Sequence, residues 1–242
     1  MNEAEHQAFA HRLQEVADRV TFALDQLIPP AVGPEANLMR AMRYGALGGG
    51  KRLRPFLAIE IGRLFDAPEK SLLRAACSLE CVHAYSLIHD DLPCMDDDDY
   101  RRGQPTVHKE YDEATAILAG DALLTLAFEV MASTETHSDA VVRCKLIERL
   151  AVASGARGMV GGQLIDMQPD DGDEESSLPT LTRMQRMKTG ALIAFSGDIG
   201  AILGGAMEAE RQAIAGFTHD LGLAYQIKDD LLDVQGDAED LG

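Results

Sequence analysis

The chain has 242 residues, 46% of them hydrophobic, which is enough for one sizeable core or two small ones. Lys and Arg number 22 against 40 Asp and Glu, a formal charge of −18 at pH 7, which excludes attraction to nucleic acid or an anionic membrane through bulk charge. A phosphate-bearing ligand must therefore be held locally, by placed cations or by a metal.

Residues 3–28 carry Phe9, Leu13, Val16, Val20, Leu24 and Leu27 at spacings of three and four, the mark of an amphipathic helix, and Pro29-Pro30 ends it. A second helix is predicted over 35–47, broken by Gly48-Gly49-Gly50, and a third from near Pro55 to Phe65. After Asp66-Ala67-Pro68, a long helix over 69–92 aligns Leu72, Ala76, Leu79, His83, Leu87 and Asp90 near one face. His83 and Asp90 stand about two turns apart on it, so both look into the same cavity. Residues 93–110 are polar and irregular and read as a loop. Helical periodicity resumes over 112–134, 138–166, 180–203 and 207–235, and no stretch alternates as a strand does.

Residues 116–132 are the most apolar long segment, yet Asp121 and Glu129 interrupt them, so no membrane span is expected. The start, MNEAEHQAFAHRL, lacks the basic residues and apolar run of a signal peptide, which points to the cytoplasm. Cys77, Cys81, Cys94 and Cys144 show no paired spacing and read as buried, reduced thiols. Residues 169–179, PDDGDEESSLP, read as solvated acidic surface. With no internal repeat and no linker, the expectation is a single all-α domain, a bundle of long helices.

The chemistry concentrates in two stretches. His89 to Gly103, HDDLPCMDDDDYRRG, places Asp90, Asp91, Asp96, Asp97, Asp98 and Asp99 close together and follows them with Arg101 and Arg102. Such carboxylates raise one another's pKa unless a cation neutralises them, and oxygen ligands suit a hard ion such as Mg²⁺. The adjacent arginines would then face phosphate. A solvated acidic loop is the competing reading. The second stretch is Tyr225 to Gly236, YQIKDDLLDVQG, where Gln226, Asp229 and Asp233 share one helical face. Negative charge near a helix C-terminus opposes the macrodipole, so stray acids explain it poorly.

Two aspartate clusters in an all-helical chain, together with GGGKRLRP (48–55), HAYSLIHDDLPCMDDDDYRRGQPTVH (83–108), AILAGDALLTLAF (116–128), GGQLIDM (161–167), KTGALI (188–193) and YQIKDDLLDVQGD (225–237), make the chain resemble a short-chain polyprenyl diphosphate synthase of the bacterial farnesyl diphosphate synthase type. The resemblance implies an isoprenoid synthase fold, helices around a central cavity. It implies Mg²⁺, with Mn²⁺ as a substitute, bound by Asp90, Asp96 and Asp229, with Asp91 and Asp233 as outer or water-mediated partners. Arg101 and Lys188 match contacts to an allylic diphosphate. Lys51, Arg54, His83 and Arg102 match contacts to isopentenyl diphosphate, a set that a terpene cyclase would not need. Thr189, Gln226 and the Lys188 carbonyl match dipoles facing the allylic cation.

Tyr85, five residues before Asp90, matches the position whose bulk sets product length, and its ring implies farnesyl diphosphate; geranyl or geranylgeranyl diphosphate is the alternative product. The resemblance also implies a homodimer, with the apolar 114–132 segment as a possible face. The family's pattern continues past the second motif with a lysine, glycines and further helices. The chain, ending Glu239-Asp240-Leu241-Gly242, is therefore expected to form one domain over 1–242 without the family's C-terminal helices. A non-catalytic homologue is the reading from another class.

Overall fold

The 25-residue helix α1, Glu3–Leu27, begins with a reciprocal cap in which Asn2 Oδ1 accepts from the Glu5 N–H at 2.9 Å and the Glu5 carboxylate accepts from the Asn2 N–H at 2.8 Å. The structure, a computed structural model, describes residues 2–168 and 178–235. Among them α1 is followed by α2 (Ala36–Leu47), α3 (Leu53–Arg63), α4 (Glu69–Asp90), a two-stranded hairpin β1 (Tyr100–Arg101) and β2 (Gln104–Pro105), then α5 (Val107–Glu110), α6 (Glu113–Ala132), α7 (Ala140–Ser154), α8 (Met159–Asp166), α9 (Leu178–Gln185), a π turn (Arg186–Gly190), α10 (Ala191–Leu203) and α11 (Glu208–Gln235).

Helix α4 is the shaft of the bundle. Leu72, Ala76, Leu79, Val82, Tyr85 and Ile88 are buried on it, and α1, α2, α3, α6 and α10 all pack against it. A helix apolar on most sides is stable only when surrounded in this way. Helix α6 is long and apolar enough to cross a membrane by length and composition. Here it buries Ala116, Ala119, Leu123, Ala127 and Met131, lies along α4, and is tied to it by the Ser78 hydroxyl, which donates to the Ala127 carbonyl at 2.7 Å. Each fully buried leucine of this contact contributes about 1.5–3 kcal/mol. On the opposite side α10 crosses α3 with backbones nearly touching: a Cβ on Gly200 would lie 2.6 Å from the Gly62 nitrogen.

Four expectations need correction. The predicted helix over 138–166 is two, because the chain turns between Gly155 and Gly158 and restarts as α8. The predicted helix over 180–203 is interrupted by the π turn. The loop over 93–110 contains the hairpin and α5: Tyr100 pairs with Pro105 and Arg101 with Gln104, and both turn residues, Arg102 (φ 53°) and Gly103 (φ 74°), take the left-handed conformation that a two-residue hairpin turn requires. Of the cysteines, Cys77 and Cys81 are buried and free, burial pushing the Cys81 thiol up to about 12, whereas Cys94 and Cys144 are exposed.

Candidate active site

A cavity of about 700 Å³ opens beside the C-terminal half of α4, walled by α6, α8, the π turn and α10. Arg54, His83, Asp90, Lys188 and Thr189 supply its polar groups, and Tyr85, Ile117, Met159, Leu164 and Leu192 its apolar ones. The two-turn spacing of His83 and Asp90 on α4 therefore does what it predicts, placing both on one cavity. Tyr85 is buried, its ring edge-to-face with His89 at 5.7 Å and 82°, and the His89 ring lies 3.0 Å from the Ile117 carbonyl through Nε2.

The chain after α4 folds back on itself. The Asp96 N–H donates to the Asp90 carbonyl at 2.8 Å and the Asp97 N–H to the Leu92 carbonyl at 3.1 Å, which returns Asp96 to the side of Asp90. Burial pushes the Asp90 carboxyl up to about 6; the charge of Lys188 opposes this rise, that of Asp96 adds to it, and Arg101 opposes it again. Asp91 is buried and meets Arg101, whose Nε donates to Oδ1 at 2.6 Å. Burial disfavours the Arg101 charge, but the bond to Asp91 together with the charges of Asp91, Asp98 and Asp90 outweighs it, and the guanidinium pKa is raised. Asp97, Asp98 and Asp99 are exposed, with Asp98 3.4 Å from Arg101 and Asp99 2.7 Å from Lys109.

Arg54 Nη1 lies 3.4 Å from His83 Nε2, and burial followed by the charges of Arg54, Arg102 and Arg52 holds the His83 pKa well below the ordinary imidazole range. Arg102 lines a smaller adjoining cavity with Asp91 and Arg101, and its guanidinium donates to the Gly49 carbonyl. Lys51 is exposed. Lys188 is paired with Asp166 at 2.5 Å.

Gln226 is buried, but its amide donates to the Gln185 carbonyl and it lines a different cavity, of about 260 Å³, with Arg186, Gly190 and His219. The structure thus brings Arg54, His83, Tyr85, Asp90, Lys188 and Thr189 to one cavity, with Arg101 and Arg102 on its neighbour and Gln226 behind the π turn. Asp229 and Asp233 lie on the α11 backbone with side chains outside the described residues.

Sequence reasoning assigned no role to Gln163 or Asp166. Gln163 lines the main cavity with its amide nitrogen buried and without a partner among the described residues, and Asp166 holds Lys188. The signal was present in GGQLIDM, where the two stand three apart on one face of α8. Among the described residues no group of three or more His, Cys, Asp or Glu is gathered tightly enough to hold a metal. The Asp90 and Asp96 oxygens nevertheless suit a hard cation, because a carboxyl held at about 6 by burial and a like neighbour is relieved by positive charge.

The profile of the family described as polyprenyl synthetase matches residues 35–242. The farnesyl diphosphate synthase of Escherichia coli (strain K12) is 44% identical over 239 residues, covering 97% of this chain and 78% of its own, and that of Geobacillus stearothermophilus is 45% identical over 233 residues, covering 95% and 77%. A crystal structure of an FPP/GFPP synthase from Zymomonas mobilis, without ligand, superposes with a TM-score of 0.86 at 47% identity, covering 92% of this chain and 80% of that one. From a helical bundle built on α4 and a cavity joining Asp90, His83 and Lys188, through a profile that spans most of the sequence, the chain belongs to the polyprenyl synthetase family.

Proposed function

We propose that the protein is a prenyltransferase that condenses isopentenyl diphosphate with dimethylallyl or geranyl diphosphate to give farnesyl diphosphate. The observation that carries this reading is the pairing, at one cavity, of an acidic group facing Lys188 with a separate cation, Arg54, and the uncharged His83 ring beside it, against apolar walls. A diphosphate with a hydrocarbon tail has those two halves. The relatives named farnesyl diphosphate synthase support the same substrate class.

In this reading Asp90, Asp96 and Asp229 hold Mg²⁺, or Mn²⁺ in its place, with Asp91 and Asp233 as outer or water-mediated partners. Bound there, the metal supplies Lewis-acid neutralisation of the departing diphosphate. Lys188, released from Asp166, and Arg101, aimed by Asp91, grip the same diphosphate with charge-assisted hydrogen bonds. Lys51, Arg54, His83 and Arg102 receive the isopentenyl diphosphate, whose charge cancels the mutual repulsion of the lysine and the two arginines. The Thr189 hydroxyl and the Lys188 carbonyl offer dipoles to the allylic cation without a full anion that would trap it. Gln226 joins them only after its amide leaves the Gln185 carbonyl. Tyr85 closes the apolar side of the cavity and limits product length. The reading further includes the cytoplasm as location and a homodimer in contact through α6, where Leu118 is exposed.

Incubation with Mg²⁺, isopentenyl diphosphate and each allylic diphosphate, followed by mass analysis, tests the reaction. A farnesyl product is expected; a protein that turns over none of the pairs would refute the synthase reading. A mainly longer product would move the specificity toward that named for the Zymomonas mobilis neighbour.

A further inference from the structure

Directly behind the Arg54–His83 contact lies an ion pair that the reaction does not use. Arg52 and Glu80 are 5% and 3% exposed, and Arg52 Nη1 donates to Glu80 Oε1 at 2.6 Å. Arg52 Nη2 donates to the Ala46 carbonyl at 2.7 Å, its Nε is buried without a partner among the described residues, and its backbone is left-handed at φ 49°. Each of these features costs folding free energy. Left-handed geometry strains a residue with a side chain, an orphaned buried donor loses its hydration, and a buried ion pair is often no more stabilising than apolar residues of the same volume. A mere fold requirement would be met more cheaply by two apolar side chains.

The position of the pair suggests what it does instead. Arg52 sits between Lys51 and Arg54, at the start of α3, while Glu80 stands one turn before His83 on α4. The same loop accepts Arg102 at the Gly49 carbonyl. Lys51, Arg54, His83 and Arg102 come from three separate segments, the three cations among them repel one another, and Arg52 clasps two of those segments together from within. Glu80 also brings a negative charge to Arg102, countering the effect of burial and of Arg52 on that guanidinium.

We propose that the Arg52–Glu80 pair is a positioning strut: it locks the 48–54 loop to α4, so that Lys51, Arg54, His83 and Arg102 converge on the diphosphate of isopentenyl diphosphate. This rests on the function proposed above and adds to it two residues that contact no substrate. The strut serves the metal-independent diphosphate and leaves the allylic one, on the Asp90 and Lys188 side, untouched.

The test compares Glu80→Gln and the double variant Arg52→Met/Glu80→Met with the wild type. Ser78→Ala, which removes a buried hydrogen bond from the same helix without touching the loop, serves as a stability control. Thermal unfolding establishes folding, titration calorimetry with isopentenyl diphosphate alone reads the site directly, and steady-state kinetics give both KM values. Displacement of the anchoring groups is expected to weaken isopentenyl diphosphate binding about tenfold or more while the allylic KM stays within about twofold, with Ser78→Ala changing neither.

A folded double variant that binds isopentenyl diphosphate like the wild type, or loses both substrates equally, overturns the strut. Should the double variant not fold, Glu80→Gln, which keeps the shape and removes the charge, decides alone. Wild-type protein that binds isopentenyl diphosphate but catalyses nothing overturns the reaction and leaves the strut standing. Wild-type protein that does not bind it overturns both.

Discussion

Arg101 holds Asp91 through two nitrogens on one oxygen, Nε at 2.6 Å and Nη2 at 2.5 Å from Oδ1. The second aspartate of the acidic stretch thus works on an arginine as much as on any metal. Asp91→Asn keeps the shape and removes the charge that aims the guanidinium, and Arg101→Lys removes the two-pronged grip. Each is expected to lower kcat/KM for the allylic substrate by about 10²-fold, as loss of one aimed donor does elsewhere. The double variant should be scarcely worse than the poorer single one, because both break the same interaction. Fully additive losses in the kinetic cycle would show the two residues acting separately.

Asp90 predicts a conflict between stability and activity. Its carboxyl is pushed up to about 6 in the folded protein, against about 3.9 for a free side chain. The folded state therefore holds a proton that the unfolded chain has released. The resulting stabilisation is full below the unfolded value and is lost as pH rises through 6. At about pH 7.5 in the absence of metal, Asp90→Asn should raise Tm by about 2 °C or more, the equivalent of ~1 kcal/mol in a chain of this size, and do so much less at about pH 4.5. Mg²⁺ should raise Tm in the wild type and fail to do so in the variant, which should be inactive. Calorimetric scans at both pH values, with and without metal, check all of this; a variant less stable than wild type at the higher pH contradicts it.

His83 titrates in the opposite sense. Burial and the surrounding guanidinium groups lower its pKa, so the unfolded chain takes up a proton that the folded protein refuses. Its contribution to stability is present above the unfolded value, near 6.5, and is lost as pH falls toward the lowered one. In an NMR titration of ring nitrogens, the His83 signal should stay at its neutral position through about pH 6, where free imidazole is already mostly protonated. A midpoint at or above the free value would contradict the packing described.

Tyr85 is fixed from behind by the His89 ring, itself in contact with the Ile117 carbonyl, so it cannot swing aside for a growing chain. Tyr85→Ala should shift the product toward a chain longer by one isoprene unit, with a modest change in kcat. Removing the buried ring should also cost about 3–5 kcal/mol of stability, visible in thermal unfolding. Mass analysis that finds the product distribution unaltered would remove Tyr85 from the determinants of length.

Much of the architecture could be read from apolar patterning and helix breakers: α1 and α2 carry an apolar face, α3, α4 and α6 are apolar on most sides, with Pro or Gly bounding α3 and α4, and the observed ends lie within about two residues of those predicted, the usual uncertainty at frayed termini. The aspartate, arginine and lysine positions were legible as types at a spacing. Their partners were not. That Lys188 is engaged by Asp166, Arg101 by Asp91 and Gln226 by the Gln185 carbonyl depends on side chains meeting across helices, which no single-helix pattern contains. The hairpin escaped notice because two-residue strands leave no alternation to detect; the dipeptide Arg102-Gly103 at its turn was the only local cue. The break between α7 and α8 escaped because apolar residues on either side of Gly155 and Gly158 continue the helical period by chance.

The π turn over Arg186–Gly190 has the longest reach of any local feature. It places one residue more in that turn than an α-helix would use, a device found often at functional sites. Deleting Met187 would let the segment relax into regular helix joined to α10, with no fewer backbone hydrogen bonds and no loss of helical signal in circular dichroism. Five residues of a π turn sweep about the same angle as four of an α-helix, so α9 and α10 would stay nearly in line, while Lys188 and Thr189 inside the turn would swing by some tens of degrees around the axis, away from Asp166 and the cavity. In this stretch, chain length rather than residue type encodes activity, and a one-residue deletion would yield a well-folded protein with an empty function.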